Sequence, residues 1–309
     1  MILAIDTETT GVDWHDEAFM ISMAWGTTTA VCDKRELTEQ EWQACLDDIT
    51  NNVLGATKII FHNAKFDIQK LCRLGIPIDC FKNFEDTQAI AHLLNEHQPT
   101  GLKSLARTHL GETTDEDEVL KKVRRELKLT KDDGYYQIPS EILSPYAKKD
   151  AEFTLRLYQT LYPRLGKDQL PLYELEKELT MILLQVEAMG MAIDVPYVQN
   201  KRREYGDKIY LIKEKIATLT DAEFNPQSPK QVIDVFAGRG VTLKRTDKST
   251  LVGVGDELAT LIVELREANK IKTTYFDALN KEVRGGVLHP NFRQHGTVTG
   301  RMSSGIVER

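Results

Sequence analysis

Apolar residues fall along this chain in two rhythms, and the change between them comes near residue 165. Met1 to Ile5 is a short run of strand type that stops abruptly at Asp6-Thr7-Glu8. Phe19 to Trp25 (FMISMAW) and Thr27 to Cys32 (TTTAVC) read as two further strands with a tight turn at Gly26, an antiparallel meander. Lys58 to His62 (KIIFH) is another strand, and Ala64 to Leu74 follows it with helical spacing. Helices are expected again over Thr87 to Asn95, Leu102 to Leu110 and Ser140 to Leu161. Hairpin strands followed by strands alternating with helices predict a mixed sheet flanked by helices, an α/β architecture. The charged stretch from Gly111 to Asp133 reads as a solvated helix with loops.

After Pro163 the period of the pattern becomes helical throughout. Leu172, Leu175, Leu179, Ile182, Leu183, Val186 and Met189 recur at three- and four-residue steps, an amphipathic helix stopped by Gly190. Two long charged helices are expected over Val195 to Leu219 and Glu257 to Val283. Between them SPKQVIDVFAGRG forms a short helix with Ser228 as N-cap and Gly238 or Gly240 as its stop. The expected division is therefore an α/β domain over 1–165 and a mostly helical domain over 166–309.

Composition narrows the class. The 309 residues are 41% hydrophobic and 28% charged, an ordinary chain of two domains. The N-terminus lacks the pattern of a signal peptide and no apolar run approaches the ~18 residues of a membrane span, so the expected location is the cytoplasm, that of a host if the source is viral. Cys32, Cys45, Cys72 and Cys80 show no C-x-x-C spacing, and reduced thiols are expected. The net charge of −7 divides into −8 before Gly166 and +1 from Gly166 onward. An acidic first half argues against electrostatic wrapping of nucleic acid there, but not against carboxylates clustered on metal ions.

Asp6-x-Glu8 is the most informative local feature. Side chains two apart on a strand point the same way, so both carboxylates leave one face at the strand's C-terminal end. Asp67 lies near the start of a helix in FHNAKFD, and Asp150 lies within a helix in PYAKKDAEF, with Tyr146 four residues earlier on the same face. Four carboxylates from separated stretches suit two hard divalent cations roughly 4 Å apart, one activating water and one stabilising a leaving oxygen.

Asp6-x-Glu8, Asn63-x-x-x-Asp67 and Tyr146-x-x-x-Asp150, in that order, resemble the three motifs of the DEDD superfamily of 3′-5′ exonucleases in its tyrosine branch. The histidine branch would place histidine where Pro145 stands. FEDTQAIAHLL, with Asp86, is similar to a segment of polymerase proofreading domains, in which that aspartate supports the site from behind. The resemblance implies a ribonuclease H-like fold and Mg2+ or Mn2+ as cofactor. It implies one ion on Asp6, Glu8 and Asp150 and a second on Asp6 and Asp67, with Asn63 alongside and Tyr146 orienting the attacking water. Val12 would wedge near the terminal base or sit in the core. The activity implied is release of nucleoside monophosphates from 3′ ends. A non-catalytic domain of the same fold is disfavoured because all four carboxylates and the tyrosine are present.

The second half resembles family A (DNA polymerase I-like) polymerases. YELEKELTMILLQVEAMGMAIDVPYV is similar to the start of their thumb, FNPQSPKQVIDVF and LREANKIKTTYFDAL to its next stretches, and GGVLHPNFRQHGTVTGRMSS to the entry into the palm. The resemblance implies contacts to primer-template DNA from Lys270, Lys272, Thr273 and Thr274, and from Arg293, Gln294, Thr297, Thr299, Arg301 and Ser303 on the following hairpin. No stretch resembles the catalytic palm or fingers motifs, so polymerisation by this chain alone is not expected. The implied partners are a single-stranded 3′ end, a primer-template duplex, and a separate palm-fingers chain. The rival readings are an exoribonuclease of the same superfamily and a non-catalytic docking subunit. Residues after about 290 are expected to order only with a partner palm or DNA.

Overall fold

A computed structural model describes residues 1–113, 115–129, 134–220 and 223–305. Ile2–Thr9 (β1), Ala18–Trp25 (β2), Thr28–Asp33 (β3), Lys58–Phe61 (β4) and Phe84–Asp86 (β5) form one sheet in the order β3-β2-β1-β4-β5. The central strand β1 pairs antiparallel with β2, Ala4 opposite Ala24, and parallel with β4, Ala4 opposite Ile60. The mixed sheet expected from the strand pattern is thus present. Its helices are Glu39–Gly55 (α1), Ala64–Arg73 (α2), Thr87–Leu94 (α3), Leu102–Leu105 (α4, extended by a π-type turn through Leu110), Asp115–Glu126 (α5), Ser140–Leu161 (α6) and Gln169–Met189 (α7).

Helix α1 has no counterpart among the elements expected above. A capping box starts it: Thr38 accepts from the Glu41 amide, and Glu41 accepts from the Thr38 amide at 2.8 Å. Trp42, Leu46, Ile49 and Val53, at three- and four-residue steps, are its buried stripe.

Alternation along β1 sorts the core into two layers. Leu3 and Ile5 pack with Trp42, Ile49, Ile68 and Leu71, whereas Ala4 packs with Ala24, Ala151 and Leu155. Asp6 and Glu8 therefore continue the Ala4 face, toward α6, and Thr7 continues the opposite face, toward α2. The small side chains of Ala4 and Ala24 leave room for α6, and Ser22 of β2 donates its hydroxyl to the Ala147 carbonyl of that helix at 2.8 Å.

The contacts group the chain differently from the division expected near residue 165. The chain forms two compact units, Met1–Met189 with Pro290–Arg309, and Gly190–His289. Helix α7 belongs to the first because it buries Tyr173, Thr180, Leu183, Leu184 and Glu187 there. Tyr173 is fully buried, donates its hydroxyl to Glu85 Oε2 at 2.8 Å and accepts from the Asp86 amide at 2.8 Å. The apolar stripe expected to be the buried face of α7 is mostly outside: Leu172, Leu175, Ile182, Val186 and Met189 are exposed.

The second unit contains Met191–Ala192 (β6), Val195–Leu219 (α8), Pro229–Gly238 (α9), Lys248–Val254 (α10), Glu257–Ile271 (α11), Ala278–Glu282 (α12) and Val287–Leu288 (β7). Strands β6 and β7 pair antiparallel. Ile209, Ile212 and Ile216 of α8 pack with Phe236, Leu258, Ile262 and Leu265. Ser228 caps α9 as expected. The single helix expected over Glu257 to Val283 is interrupted by a π-type turn at Lys272–Asp277.

Asn291–Arg293 (β8) and Ser303–Gly305 (β9) pair as an antiparallel hairpin within the first unit. The expectation that order fails after about residue 290 is corrected through residue 305. Gln294 is buried, accepts from the Thr180 hydroxyl at 2.9 Å and donates to Glu176 Oε2 at 2.8 Å, which fixes the hairpin on α7. Residues 306–309 lie outside the described residues.

Candidate active site

The C-terminal end of β1, the start of α2 and the middle of α6 meet at one point. Asp6, Glu8 and Asp150 each bring a carboxylate oxygen within 4.8 Å of the others. Glu8 and Asp150 are buried and Asp6 is half-buried. The strand end supplies two of these side chains on its α6 face, and a helix turn on α6 places Tyr146 beside Asp150.

Asp67 reaches the same strand end from the other layer. Its Oδ1 accepts from the Thr7 amide at 3.0 Å and from the Thr7 hydroxyl at 2.7 Å. Its helix begins at Asn63, held in the left-handed conformation at φ +71°, where a side chain is strained. Asp86 compensates, accepting from the amides of Asn63 at 3.1 Å and Ala64 at 2.8 Å while capping α3 through Gln88 and Ala89. Asp86 thus fixes the helix that carries Asp67, while the Asn63 side chain is exposed and Val12 is half-buried in the loop after β1.

Electrostatics set the chemistry of the cluster. Burial, then the neighbouring Asp67, Glu8 and Asp150 charges, pushes the Asp6 carboxyl well above its ordinary range. Burial and the Asp150 charge do the same to Glu8. Asp67 is pushed up to about 7 by burial, against the lowering effect of its Thr7 hydrogen bonds. Burial, with Asp150 nearby, raises the Tyr146 phenol well above its usual value, so it keeps its proton at neutral pH. Buried carboxylates that oppose one another's ionisation and offer only oxygen are a donor set suited to hard divalent cations.

A cation within the described site is Lys103 of α4, a residue that belongs to none of the motifs read from the sequence. Its ammonium is ion-paired with Asp150 and lies 4.1 Å from the centre of the Tyr146 ring. It lowers the cost of charging both Asp6 and Glu8. Tyr135 packs edge-on against Tyr146, ring centres 6.1 Å apart.

The residues expected to touch duplex are dispersed. In the second unit Lys270 and Thr274 are exposed, Lys272 is ion-paired with Asp277 at 2.8 Å, and Thr273 donates its hydroxyl to the Asn269 carbonyl at 2.8 Å. On the hairpin Thr299 and Arg301 are exposed, Thr297 donates to the Arg301 carbonyl at 2.8 Å, and Arg293 and Ser303 are half-buried. Gln294 is the exception: both ends of its amide are engaged by α7, so it does not present itself to DNA as expected.

Comparison with known proteins places this geometry. Residues 2–166 match a family model described as 3′-5′ exonuclease, and residues 195–306 match one described as DNA polymerase family A. The chain is 32% identical to DNA polymerase I of Chloroflexus aurantiacus over 79% of its own length and 27% of that protein's. It is 29% identical to DNA polymerase DpoZ of Vibrio phage phiVC8 over 98% of its own length and 54% of the phage protein's. A solved structure titled as the POL domain of Pol1 from M. smegmatis in complex with DNA primer-template and dNTP shares the fold. The TM-score is 0.69 and the identity 21%, over 98% of this chain and 50% of that one. The chain spans about half or less of these relatives.

Proposed function

We propose, from the premise that this chain belongs to the 3′-5′ exonuclease family, that it removes nucleotides from DNA 3′ ends as the proofreading part of a family A polymerase. The observation that carries the reading is the convergence of Asp6, Glu8 and Asp150 on one point, with Asp67 tied to the same strand end. Asp6, Glu8 and Asp150 would hold one divalent ion, and Asp6 with Asp67 a second, Mg2+ or Mn2+. When bound, such ions lower the pKa of water and neutralise charge on a phosphodiester under attack.

The chain's own residues do the rest. Tyr146, with its proton retained, orients water by hydrogen bonding and does not act as a base. Lys103 is ion-paired with Asp150 and competes with a metal for its oxygen. Thr7 presents two donors that favour the charged form of Asp67 against the effect of burial. Hydrolysis of the last phosphodiester then releases a nucleoside monophosphate and leaves a new 3′-hydroxyl.

The test is release of mononucleotides from 5′-labelled single-stranded DNA in Mg2+ and in Mn2+. An Asp6→Ala, Glu8→Ala double variant as active as the wild type would overturn the reading, and a matched RNA oligonucleotide cut faster than DNA would replace the substrate. Primer-template duplex and a separate palm-fingers polypeptide are the proposed further partners, supported by the match of residues 195–306 to the DNA polymerase family A model. Primer extension by this chain mixed with such a polypeptide tests that role. No helix among the described residues is long and apolar enough to cross a membrane.

A further inference from the structure

We propose that Lys65 is a positioning residue, through which strand β8 of the C-terminal hairpin holds the helix that carries Asp67. The inference rests on the exonuclease reading and adds to it a dependence on a segment more than 220 residues away in sequence.

Lys65 stands in the first turn of α2, two residues before Asp67, inside the motif FHNAKFD. Its ammonium is ion-paired with Glu187 of α7, and it donates to Asn291 Oδ1 at 2.9 Å and to the Phe292 carbonyl at 2.6 Å. All three ammonium donors therefore have acceptors. Glu187 accepts in turn from the Phe292 amide at 2.7 Å. One ion pair thus takes both backbone polar groups of Phe292. The two side chains are only 12% and 5% exposed. A charge desolvated to this degree tolerates little displacement from its partners, because each lost bond leaves a buried ion unsatisfied.

The consequence is a chain of fixed contacts running β8, Lys65, α2, Asp67, Thr7. Asp86 fixes the amides just before Lys65, so the N-terminal turn of α2 is held by β5 on one side and by β8 on the other. The bonds made by Lys65 go to α7 and β8 and to none of the four carboxylates, which separates it from the catalytic residues. A displacement of the hairpin, which also carries Arg301, is transmitted to Asp67 and so to the second cation position.

The test uses the full chain. A Lys65→Met, Glu187→Met double variant removes both charges together, so that neither is left buried alone. It is expected to require about tenfold more Mg2+ for half-maximal release of mononucleotide, with kcat lowered and KM for single-stranded DNA unchanged. An Asn291→Leu, Gln294→Leu variant, altered only in the hairpin, is expected to shift Mg2+ dependence in the same direction. A folded double variant with wild-type Mg2+ dependence and kcat overturns the proposal; if that variant does not fold, the hairpin variant decides by the same readout. A wild-type chain no more active than Asp6→Ala, Glu8→Ala would instead sink the exonuclease reading, and this inference with it.

Discussion

The amide and the hydroxyl of Thr7 both donate to Oδ1 of Asp67, at 3.0 and 2.7 Å, across 60 positions of sequence. Thr7 lies between Asp6 and Glu8 but points to the other side of the sheet. One strand end therefore serves two layers, presenting two carboxylates to α6 and binding a third that arrives on α2. The alternation of a β-strand is what makes this possible.

Thr7→Val keeps the shape and the amide bond but deletes the hydroxyl donor. Asp67 then ionises less readily, because burial is opposed by one hydrogen bond fewer. The expected outcome is a higher Mg2+ requirement and a rate lower by about tenfold, the scale of a lost supporting contact at a metal ligand. A Mg2+ titration of nuclease rate checks it, with thermal unfolding to show that the fold is retained.

Asp6→Asn is expected to abolish activity while stabilising the metal-free protein. The folded carboxyl is pushed above its unfolded value by burial and by Asp67, Glu8 and Asp150. The contribution of a carboxyl shifted that way is fully present below its unfolded pKa and is lost as pH rises from there through the folded pKa. At pH 7 in chelator the variant should therefore unfold at a higher temperature than the wild type. Mg2+ should raise the wild-type melting temperature and leave the variant nearly unmoved, which calorimetry with and without the ion reads directly.

Tyr173→Phe tests the placement of α7. The phenol is the buried partner of both Glu85 and the Asp86 amide, so its loss leaves an N–H unsatisfied inside the first unit. A cost of about 2 kcal/mol is expected in urea unfolding of that unit. If α7 belonged to a separate helical domain, as the apolar rhythm suggests, the substitution would leave the sheet's stability unchanged.

The carboxylate site was legible because its parts are local signals: D-x-E at a strand end, and Tyr146 with Asp150 four apart on one helix. The sheet was legible for the same reason, since period-two runs ended in turn residues. What escaped was decided at long range. The rhythm of α7 identifies a helix but not which face is buried, and Tyr173, Thr180 and Glu187 are buried through polar partners on β5, on the C-terminal hairpin and on α2. Lys103 sits in GLKSLA without a motif, and only the packing of α4 near α6 brings it to Asp150. Helix α1 was legible in retrospect from the Thr38-x-x-Glu41 box, a signal weaker than the strands that flank it.

Acid is expected to weaken the fold through one buried histidine. His62 follows β4, and its Nδ1 lies 2.8 Å from the Thr87 hydroxyl, which itself donates to the Phe61 carbonyl. The Thr87 oxygen must then accept, so Nδ1 carries the proton of a neutral ring. Nε2 is buried and makes no hydrogen bond within the described residues, and although the Asp86 charge and the Thr100 backbone favour a second proton on the ring, burial outweighs them. Burial accordingly lowers the His62 pKa to about 4. The unfolded ring titrates near ~6.5, so between those values the unfolded chain binds a proton that the folded chain refuses. Stability is then fully present above pH ~6.5 and falls as pH drops toward 4, by up to about 3 kcal/mol from this group. His62→Asn keeps a donor to Thr87 but cannot titrate, and should flatten the decline. Urea midpoints at pH 7 and pH 4.5 for both proteins measure it, and equal losses in the two would refute the assignment of a neutral His62.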